Sequence, residues 1–155
     1  MKNVREALSR RQNGEAGFTL VELIIVMVII GLLAAIAVPL YLNQRRRAWI
    51  SATESDLNSA ITAVNTVAAD SVSGAKDVSV DKNGVCGPKS SCNILLNTKD
   101  TGQRINTSDG VTITLKVNGD TFTLEAKHTG ITGNDAKVTY DSSTGATTKG
   151  ADWKA

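Results

Sequence analysis

The longest uncharged apolar stretch of the chain, residues 23–42, predicts a membrane-spanning helix. Its 20 residues are mostly Ile, Val, Leu and Ala, with Gly31 and Pro39 as interruptions. At 1.5 Å of rise per residue they give about 30 Å of helix, which matches the hydrocarbon thickness of a bilayer. A secretory signal peptide is the alternative, but its apolar core spans only about 7–15 residues and ends in a small-residue cleavage pattern. The length of this stretch therefore favours an anchor.

Beyond Pro39 the apolar positions continue at helical spacing but occupy one face only. They recur three to four residues apart, with Ser, Thr, Asn, Glu and Asp between them: Trp49, Ile50, Leu57, Ile61, Val64, Val67 and Ala68. This spacing predicts an amphipathic helix. If Pro39 only kinks the backbone, one helix of roughly 80 Å runs from Phe18 to about Asp70. We expect residues 18–42 to suit lipid and residues 43–70 to lie along a soluble domain.

After a Ser/Gly-containing loop at residues 70–77, apolar residues alternate with a period of two, which predicts strands. The clearest segment, GVTITLKVNGDTFTLEAK, contains Asn118-Gly119, the favoured loop of a two-residue hairpin. This loop predicts four cross-strand pairs: Val117 with Asp120, Leu115 with Phe122, Ile113 with Leu124, and Val111 with Ala126. AKVTYD predicts a third strand and SSTG a turn. With residues 57–68 as its cover, the sheet gives an α+β fold, in which a long helix packs on an antiparallel head at residues 71–155.

Glu22 is the one charged residue of the apolar segment 18–42. An acid at the centre of a bilayer costs about 2.5–3.5 kcal/mol. From one turn inside the helix the side chain can reach back to water, which is a purely local explanation. The 17 residues before Phe18 hold four basic and two acidic residues, whereas the rest of the chain carries 13 of each. A short basic segment therefore precedes the anchor.

Two cysteines close together, Cys86 and Cys92, lie beyond the anchor in GVCGPKSSCN. A short loop on the outer side of a membrane predicts a disulfide. The alternative is half of a metal site, which would need further Cys or His residues nearby, and none follows. We therefore expect a disulfide, no metal and no cofactor.

The Gly17-Phe18 junction and the apolar helix that follows it together resemble the N-terminus of type IV pilins and related pseudopilins. The features that carry the resemblance are a short basic leader ending in Gly17, then Phe18, then Glu22 as the fifth residue after the junction. An apolar helix with Gly31 and Pro39 follows, in GFTLVELIIVMVIIGLLAAIAVPLYL. The resemblance covers about residues 1–69.

The resemblance implies a series of processing and assembly steps. A prepilin peptidase cuts between Gly17 and Phe18 on the cytoplasmic side and methylates the new amino group of Phe18. The subunit waits in the cytoplasmic membrane, its leader inside and its head outside, until an assembly ATPase and a membrane platform protein move it into an extracellular homopolymer. The helix between Gly31 and Pro39 can lose helicity in that filament. Glu22 would pair with the Phe18 amine of a neighbouring subunit, because an acid in apolar surroundings is costly unless it is paired.

Three functional classes follow: the structural subunit of a type IV pilus, a pseudopilin of a type II secretion system, and a component of a DNA-uptake pilus. The second would be favoured by calcium ligands, for which scattered candidates are Asp109, Asp120, Asn134, Asp135 and Asp141. The third would be favoured by basic residues near a stacking aromatic, for which the candidates are Lys137, Lys149, Lys154 and Trp153. The acidic set follows no recognised calcium-loop spacing. The basic set is limited to these few residues near the tail, so nucleic acid is not expected to be the main partner.

An enzyme is not expected, because no paired carboxylates, Cys/His pair or phosphate loop is present and His128 is the single histidine. A run of three arginines, residues 45–47, follows the anchor. These arginines could meet acids of neighbouring subunits, lipid phosphates, or water alone.

Overall fold

The computed structural model describes residues 18–154. The chain divides into two compact units, Met1–Tyr41 and Leu42–Ala155. Helix α1 comprises Leu20–Asp70, so that residues 20–41 belong to the first unit and residues 42–70 to the second. The long helix predicted from the sequence is confirmed to within two residues, and it is continuous through Gly31 and Pro39.

The second unit adds two antiparallel sheets to its part of α1. The three-stranded sheet has the order β1-β3-β4, with β1 at Val78–Val80, β3 at Ser91–Leu96 and β4 at Lys99–Asn106. The five-stranded sheet has the order β2-β5-β6-β7-β8, with β2 at Val85–Cys86, β5 at Val111–Asn118, β6 at Thr121–His128, β7 at Lys137–Asp141 and β8 at Ala146–Lys149. Single 3-10 turns lie at Gly74–Asp77 and Lys82–Gly84. The α+β class and strands β5, β6 and β7 were predicted; the other five strands were not.

The β5–β6 hairpin contains the predicted strands, but the predicted register is wrong. The two loop residues are Gly119 and Asp120, so that Asn118 pairs with Thr121. Gly119 has φ +60° and takes the first loop position, as a type II′ turn requires. Because the register moves by two residues, every side chain keeps its predicted face. The observed pairs are Val117 with Phe122, Leu115 with Leu124, Ile113 with Ala126, and Val111 with His128.

The core of the second unit forms between α1 and both sheets. The buried residues of the helix recur at helical spacing: Thr53, Leu57, Ala60, Ala63, Val64 and Val67. All of them except Thr53 share one apolar cluster with Ile94 and Ile105 of the three-stranded sheet and with Ile113, Leu124 and Val138 of the five-stranded sheet. The prediction that residues 57–68 cover the sheet is confirmed.

A disulfide joins Cys86 and Cys92, as predicted, and both side chains are fully buried. Cys86 lies in β2 of the five-stranded sheet, whereas Cys92 lies in β3 of the three-stranded sheet. The bond therefore links the two sheets covalently. Its structural role therefore extends beyond closing the short loop between the two cysteines.

Candidate functional site

The first unit presents an apolar helix surface. Every large apolar side chain from Phe18 to Tyr41 is at least 50% exposed. Among the described residues, α1 is the one helix that is long and apolar enough to cross a membrane. A helix that is apolar on all sides is stable when lipid or other apolar helices surround it. The surface is therefore built for contacts outside its own chain.

A reciprocal cap formed by Thr19 and Glu22 starts this helix. Glu22 Oε2 accepts hydrogen bonds from the Thr19 backbone N at 2.8 Å and from Thr19 Oγ1 at 3.0 Å. The Glu22 backbone N in turn donates to Thr19 Oγ1 at 3.2 Å. This is a capping box, in which the residue before the helix and the third helical residue satisfy each other's backbone N–H groups. The Thr-x-x-Glu spacing at residues 19–22 is the sequence signal for a capping box. The apolar pattern of the helix does not reveal this role of Glu22.

The cap holds the Glu22 carboxylate beside the first residue after the predicted cut. Both side-chain bonds use Oε2, and within residues 18–154 Oε1 forms no hydrogen bond. The neighbouring Phe18 is 83% exposed. A cation supplied by another molecule can therefore reach Oε1 without breaking the cap. Capping and charge pairing are compatible roles for this one carboxylate.

The other positions that the sequence singled out in this segment are Gly17, Phe18, Gly31 and Pro39. Gly17 lies outside the described residues, and Phe18 precedes the first helical residue. Gly31 lies within α1, where an added Cβ would meet no atom within 4 Å. Pro39 also lies within α1 and removes one backbone donor from its hydrogen-bond ladder. The loss of helicity between these two residues concerns the filament and stays a prediction.

The arginine run makes contacts with neutral groups. Arg46 Nε donates to the Lys154 carbonyl at 2.6 Å, and Arg46 Nη2 donates to the Asp152 carbonyl at 3.0 Å. The Arg45 guanidinium carbon lies 4.5 Å from the centre of the Trp49 ring, a cation–π distance. Arg46 thus holds the C-terminal segment against the beginning of the soluble half of α1.

Trp153 and Glu54 form a second attachment of the C-terminal segment. Trp153 is 5% exposed, and its Nε1 donates to Glu54 Oε1 at 3.0 Å. Lys149 Nζ lies 2.6 Å from the same oxygen. Burial raises the pKa of the Glu54 carboxyl, but the hydrogen bonds from Lys149 and Trp153 and the charge of Lys149 outweigh it, so the pKa lies below its ordinary value.

Trp49 and His128 form a stacked pair where the helix meets the sheet. Their ring centres lie 4.9 Å apart with an interplanar angle of 24°. An added Cβ on Gly130 would lie 2.5 Å from Trp49 Cζ3, so this position requires glycine. Burial lowers the pKa of His128, and a hydrogen bond and the charge of Asp109 oppose that effect. His128 Nδ1 accepts from the Gly130 backbone N at 2.9 Å, which gives the imidazole a packing role.

Two of the five side chains considered as calcium ligands, Asp141 and Asp135, accept hydrogen bonds from nearby residues of the head. Asp141 Oδ1 accepts from Ser143 Oγ and from the Ser143 backbone N, which lowers the pKa of the Asp141 carboxyl. Asp135 Oδ2 accepts from the Ala151 backbone N at 2.8 Å. In the part of the chain that the structure describes, no group of three or more His, Cys, Asp or Glu side chains is placed to hold a metal ion.

Of the four residues considered for nucleic-acid binding, Lys154 is exposed and the other three are engaged. Trp153 is buried and cannot offer a stacking face. Lys149 pairs with Glu54, and Lys137 lies 3.5 Å from Glu125. The positions of these side chains remove the basis for a stacking platform near the C-terminus.

Comparison with known proteins agrees with the architecture of the helix. Residues 12–38 match the prokaryotic N-terminal methylation motif. The chain is 49% identical over 55 residues to the fimbrial protein EcpB of Eikenella corrodens, an alignment that covers 36% of this chain and 35% of that protein. It is 45% identical over 60 residues to the type IV major fimbrial protein FimA of Dichelobacter nodosus, covering 39% and 38% of the two chains. These two alignments thus span little more than a third of the relatives' length. No solved structure matches the chain.

A longer alignment includes the head. The chain is 30% identical over 154 residues to the type IV major pilin protein PilE of Neisseria gonorrhoeae, with 80% of this chain and 88% of that protein covered. This alignment agrees with the methylation motif. It also agrees with the fold, in which a long helix packs on an antiparallel head. The chain belongs to the type IV pilin family.

Proposed function

We propose that this chain is a structural subunit of a type IV pilus, made as a precursor and polymerised through its N-terminal helix. The observation that carries the proposal is the helix surface at residues 18–41, where every large apolar side chain is at least half exposed. Before assembly this surface suits lipid, and after assembly it suits the same surface of other copies. The names of the relatives, fimbrial protein and type IV major pilin, support a filament-forming role.

Processing at Gly17-Phe18 fits this programme. We assign residues 1–17 to a leader, residues 18–42 to the membrane and filament-core helix, residues 43–70 to the amphipathic half of the helix, and residues 71–155 to the rest of the head. A prepilin peptidase removes the leader and methylates the Phe18 amine. The precursor lies in the cytoplasmic membrane with the leader inside and the head outside, and an assembly ATPase and platform protein transfer it to the extracellular pilus.

Removal of the leader creates a new charge close to the Glu22 carboxylate. Until the cut, the nitrogen of Phe18 belongs to a neutral peptide group. Afterwards it is a cationic amine, and in a bundle of apolar helices it needs a counter-charge. The Oε1 atom of Glu22 on another copy can supply it, while Oε2 keeps the cap with Thr19. We propose that this pair sets the register between subunits, so that only cleaved subunits assemble.

Mass spectrometry of sheared surface filaments tests the proposal. We expect filaments composed of this chain, with a first residue Phe18 that carries one added methyl group. A subunit that retains residues 1–17, or one cut after the alanines at residues 34–37, would contradict the processing scheme. Detection of the chain in membranes but never in filaments would instead favour a pseudopilin.

A role in DNA uptake has less support. Three of the four residues that suggested it are engaged within the head. Trp153 is buried, Lys149 pairs with Glu54, and Lys137 lies beside Glu125. We propose no catalytic activity and no cofactor. The relatives are named as pilus proteins, in agreement with a structural role.

A further inference from the structure

We propose that Arg45, Arg46, Arg47 and Lys154 form a basic collar that binds the headgroups of anionic phospholipids while the subunit waits in the membrane. The inference rests on the membrane-anchored precursor of the proposed function. It concerns the one strongly charged motif of the sequence that assembly through Phe18 and Glu22 does not use.

The collar is held together by contacts that leave its charge intact. Arg46 binds two backbone carbonyls, and Arg45 lies over the Trp49 ring. Neither a carbonyl nor an indole neutralises a guanidinium group. The salt bridges found among residues 18–154 involve Glu125, Asp135 and Glu54, each paired with a lysine. The charges of Arg45 and Arg46 are therefore held in place, and Arg47 is exposed beside them.

The C-terminal segment adds a fourth positive charge from a distant part of the chain. The hydrogen bond from Arg46 to the Lys154 carbonyl joins residues that are 108 positions apart. Lys154 is exposed, as are Arg45 and Arg47. Among residues 18–154 three acids lie nearby: Asp109, which lines a 240 Å³ cavity with Arg45, Glu54, which lines another cavity with Arg47, and Asp152, whose Oδ2 accepts from the Asp135 backbone N. Glu54 is already paired with Lys149. Four cations against three carboxylates leave the collar with a net positive charge.

The uncharged segment ends at Leu42, and the collar begins three residues later, at Arg45. At 1.5 Å of rise per residue the three arginines lie about 4.5–7.5 Å beyond that end. The headgroup layer occupies about 5–7.5 Å on each side of the hydrocarbon. Tyr41, which is 62% exposed, lies at the boundary itself, where tyrosine is enriched in membrane proteins. The collar therefore lies at the depth of the lipid phosphates.

The arrangement around the helix favours lipid over a protein partner. Successive residues of a helix are about 100° apart, so three consecutive arginines extend over about 200° of its circumference. A helix that crosses a membrane meets headgroups on all sides, whereas a second copy of the chain would meet one face. In the proposed orientation the run also adds positive charge outside the membrane, against the usual bias towards the inner side. Membrane topology thus does not account for it.

Native mass spectrometry of the full-length chain, released from micelles that contain equimolar phosphatidylglycerol and phosphatidylcholine, tests the collar. We expect the anionic lipid to be retained preferentially, with a preference that declines as salt screens the charges. A basic residue near an anionic surface contributes about fivefold in affinity. Arg45→Gln combined with Arg47→Gln should therefore lower the ratio of the two retained lipids about tenfold or more. Arg46 is left in place because it holds the C-terminal segment.

Two matched variants control for charge and folding. Lys76→Gln combined with Lys99→Gln removes the same charge from exposed head positions and should leave the ratio unchanged. Arg45→Lys combined with Arg47→Lys keeps the charge and should keep the preference. The proposal is overturned if the unmodified chain retains both lipids equally, or if the two glutamine pairs have the same effect. It is also overturned if the arginine-to-glutamine pair reduces filament yield while the lipid ratio stays unchanged, because the arginines would then contact a second copy. The chain could show no preference for the anionic lipid while its filaments still begin at methylated Phe18. The lipid proposal and the proposed pilus function are therefore tested separately.

Discussion

The two units of this chain use apolar side chains in opposite ways. In the first unit the large apolar side chains are at least 50% exposed, whereas Leu57, Val64 and Ile113 of the second unit are at most 1% exposed. The second unit satisfies its apolar residues within one chain and locks its two sheets together with the Cys86–Cys92 disulfide. The first unit leaves them to lipid or to other copies. The same residue types therefore stabilise a domain in one unit and an assembly in the other.

Matched leucine truncations give the largest expected difference between the two units. Leu57→Ala removes a side chain that is 1% exposed, and we expect it to lower the free energy of unfolding of the head by about 2–5 kcal/mol. Leu33→Ala removes one that is 62% exposed, and the expected change is within about 0.5 kcal/mol. Urea unfolding of the full-length chain in micelles, followed by tryptophan fluorescence, measures this, because both tryptophans lie in the second unit. Equal losses of stability would show that the two units do not differ in this way.

The attachment of the C-terminal segment predicts a smaller effect that depends on pH. Trp153→Phe removes the hydrogen bond to Glu54 Oε1, and the expected loss is about 1–2 kcal/mol at neutral pH. The pKa of Glu54 is lowered in the folded state, from an ordinary value of 4.5. Its stabilising contribution is therefore present above that value and is lost as the pH falls through the lowered folded pKa. The difference between the two proteins should accordingly shrink in acid.

Glu54→Gln provides the control for this pH dependence. It keeps an acceptor for Trp153 but removes the charge, so in this background the effect of Trp153→Phe should be smaller and independent of pH. If the pH dependence persists in the Glu54→Gln background, another group titrates and the assignment to Glu54 is wrong.

The smallest expected effect is a gain of stability in the loop between β3 and β4. Asn97 and Thr98 form this two-residue loop, since Leu96 pairs with Lys99, and both have positive φ. A β-branched residue is strained in that conformation, and glycine is favoured there. Thr98→Gly should raise the free energy of unfolding by up to about 1 kcal/mol, because the strain removed exceeds the added chain entropy. Thr101→Gly, outside the loop, should be destabilising, since Thr101 Oγ1 donates to the Ile94 carbonyl.

The sequence predicts those parts of the fold whose signal is local. Helix α1 follows from spacing alone, and strands β5 and β6 follow from alternation around a turn. Strand β4 has no such signal, because seven of its eight residues are exposed or half-buried. The hairpin register was missed because a glycine at position 119 fits either the first or the second loop position. The choice depends on which residues pair across the strands.

The candidate site shows the same division. Phe18, Glu22 and the cysteine pair could be named from their positions, and the capping role of Glu22 is contained in four consecutive residues. The contacts of Arg46 and of Trp153 join residues about 100 positions apart. No local pattern contains them, so the role of the arginine run needs the folded head.

Our central claim is that the first unit assembles through a charge pair at Glu22. Two substitutions distinguish this pairing role from the capping role of the same residue. Glu22→Gln keeps the capping box, since glutamine serves at the same position, but removes the charge. Glu22→Ala removes both. In either variant, deletion of one half of a buried ion pair leaves the Phe18 amine uncompensated in every subunit, at a cost of about 3–5 kcal/mol.

The decisive measurement is the filament yield of strains in which either variant is the only copy of the chain, with membrane fractions and sheared surface material compared by immunoblot. The charge-pair account predicts that both variants insert and lose their leader while neither forms filaments. A normal yield from Glu22→Gln together with no filaments from Glu22→Ala would mean that Glu22 serves only as a helix cap. A normal yield from both would mean that the carboxylate has no part in assembly.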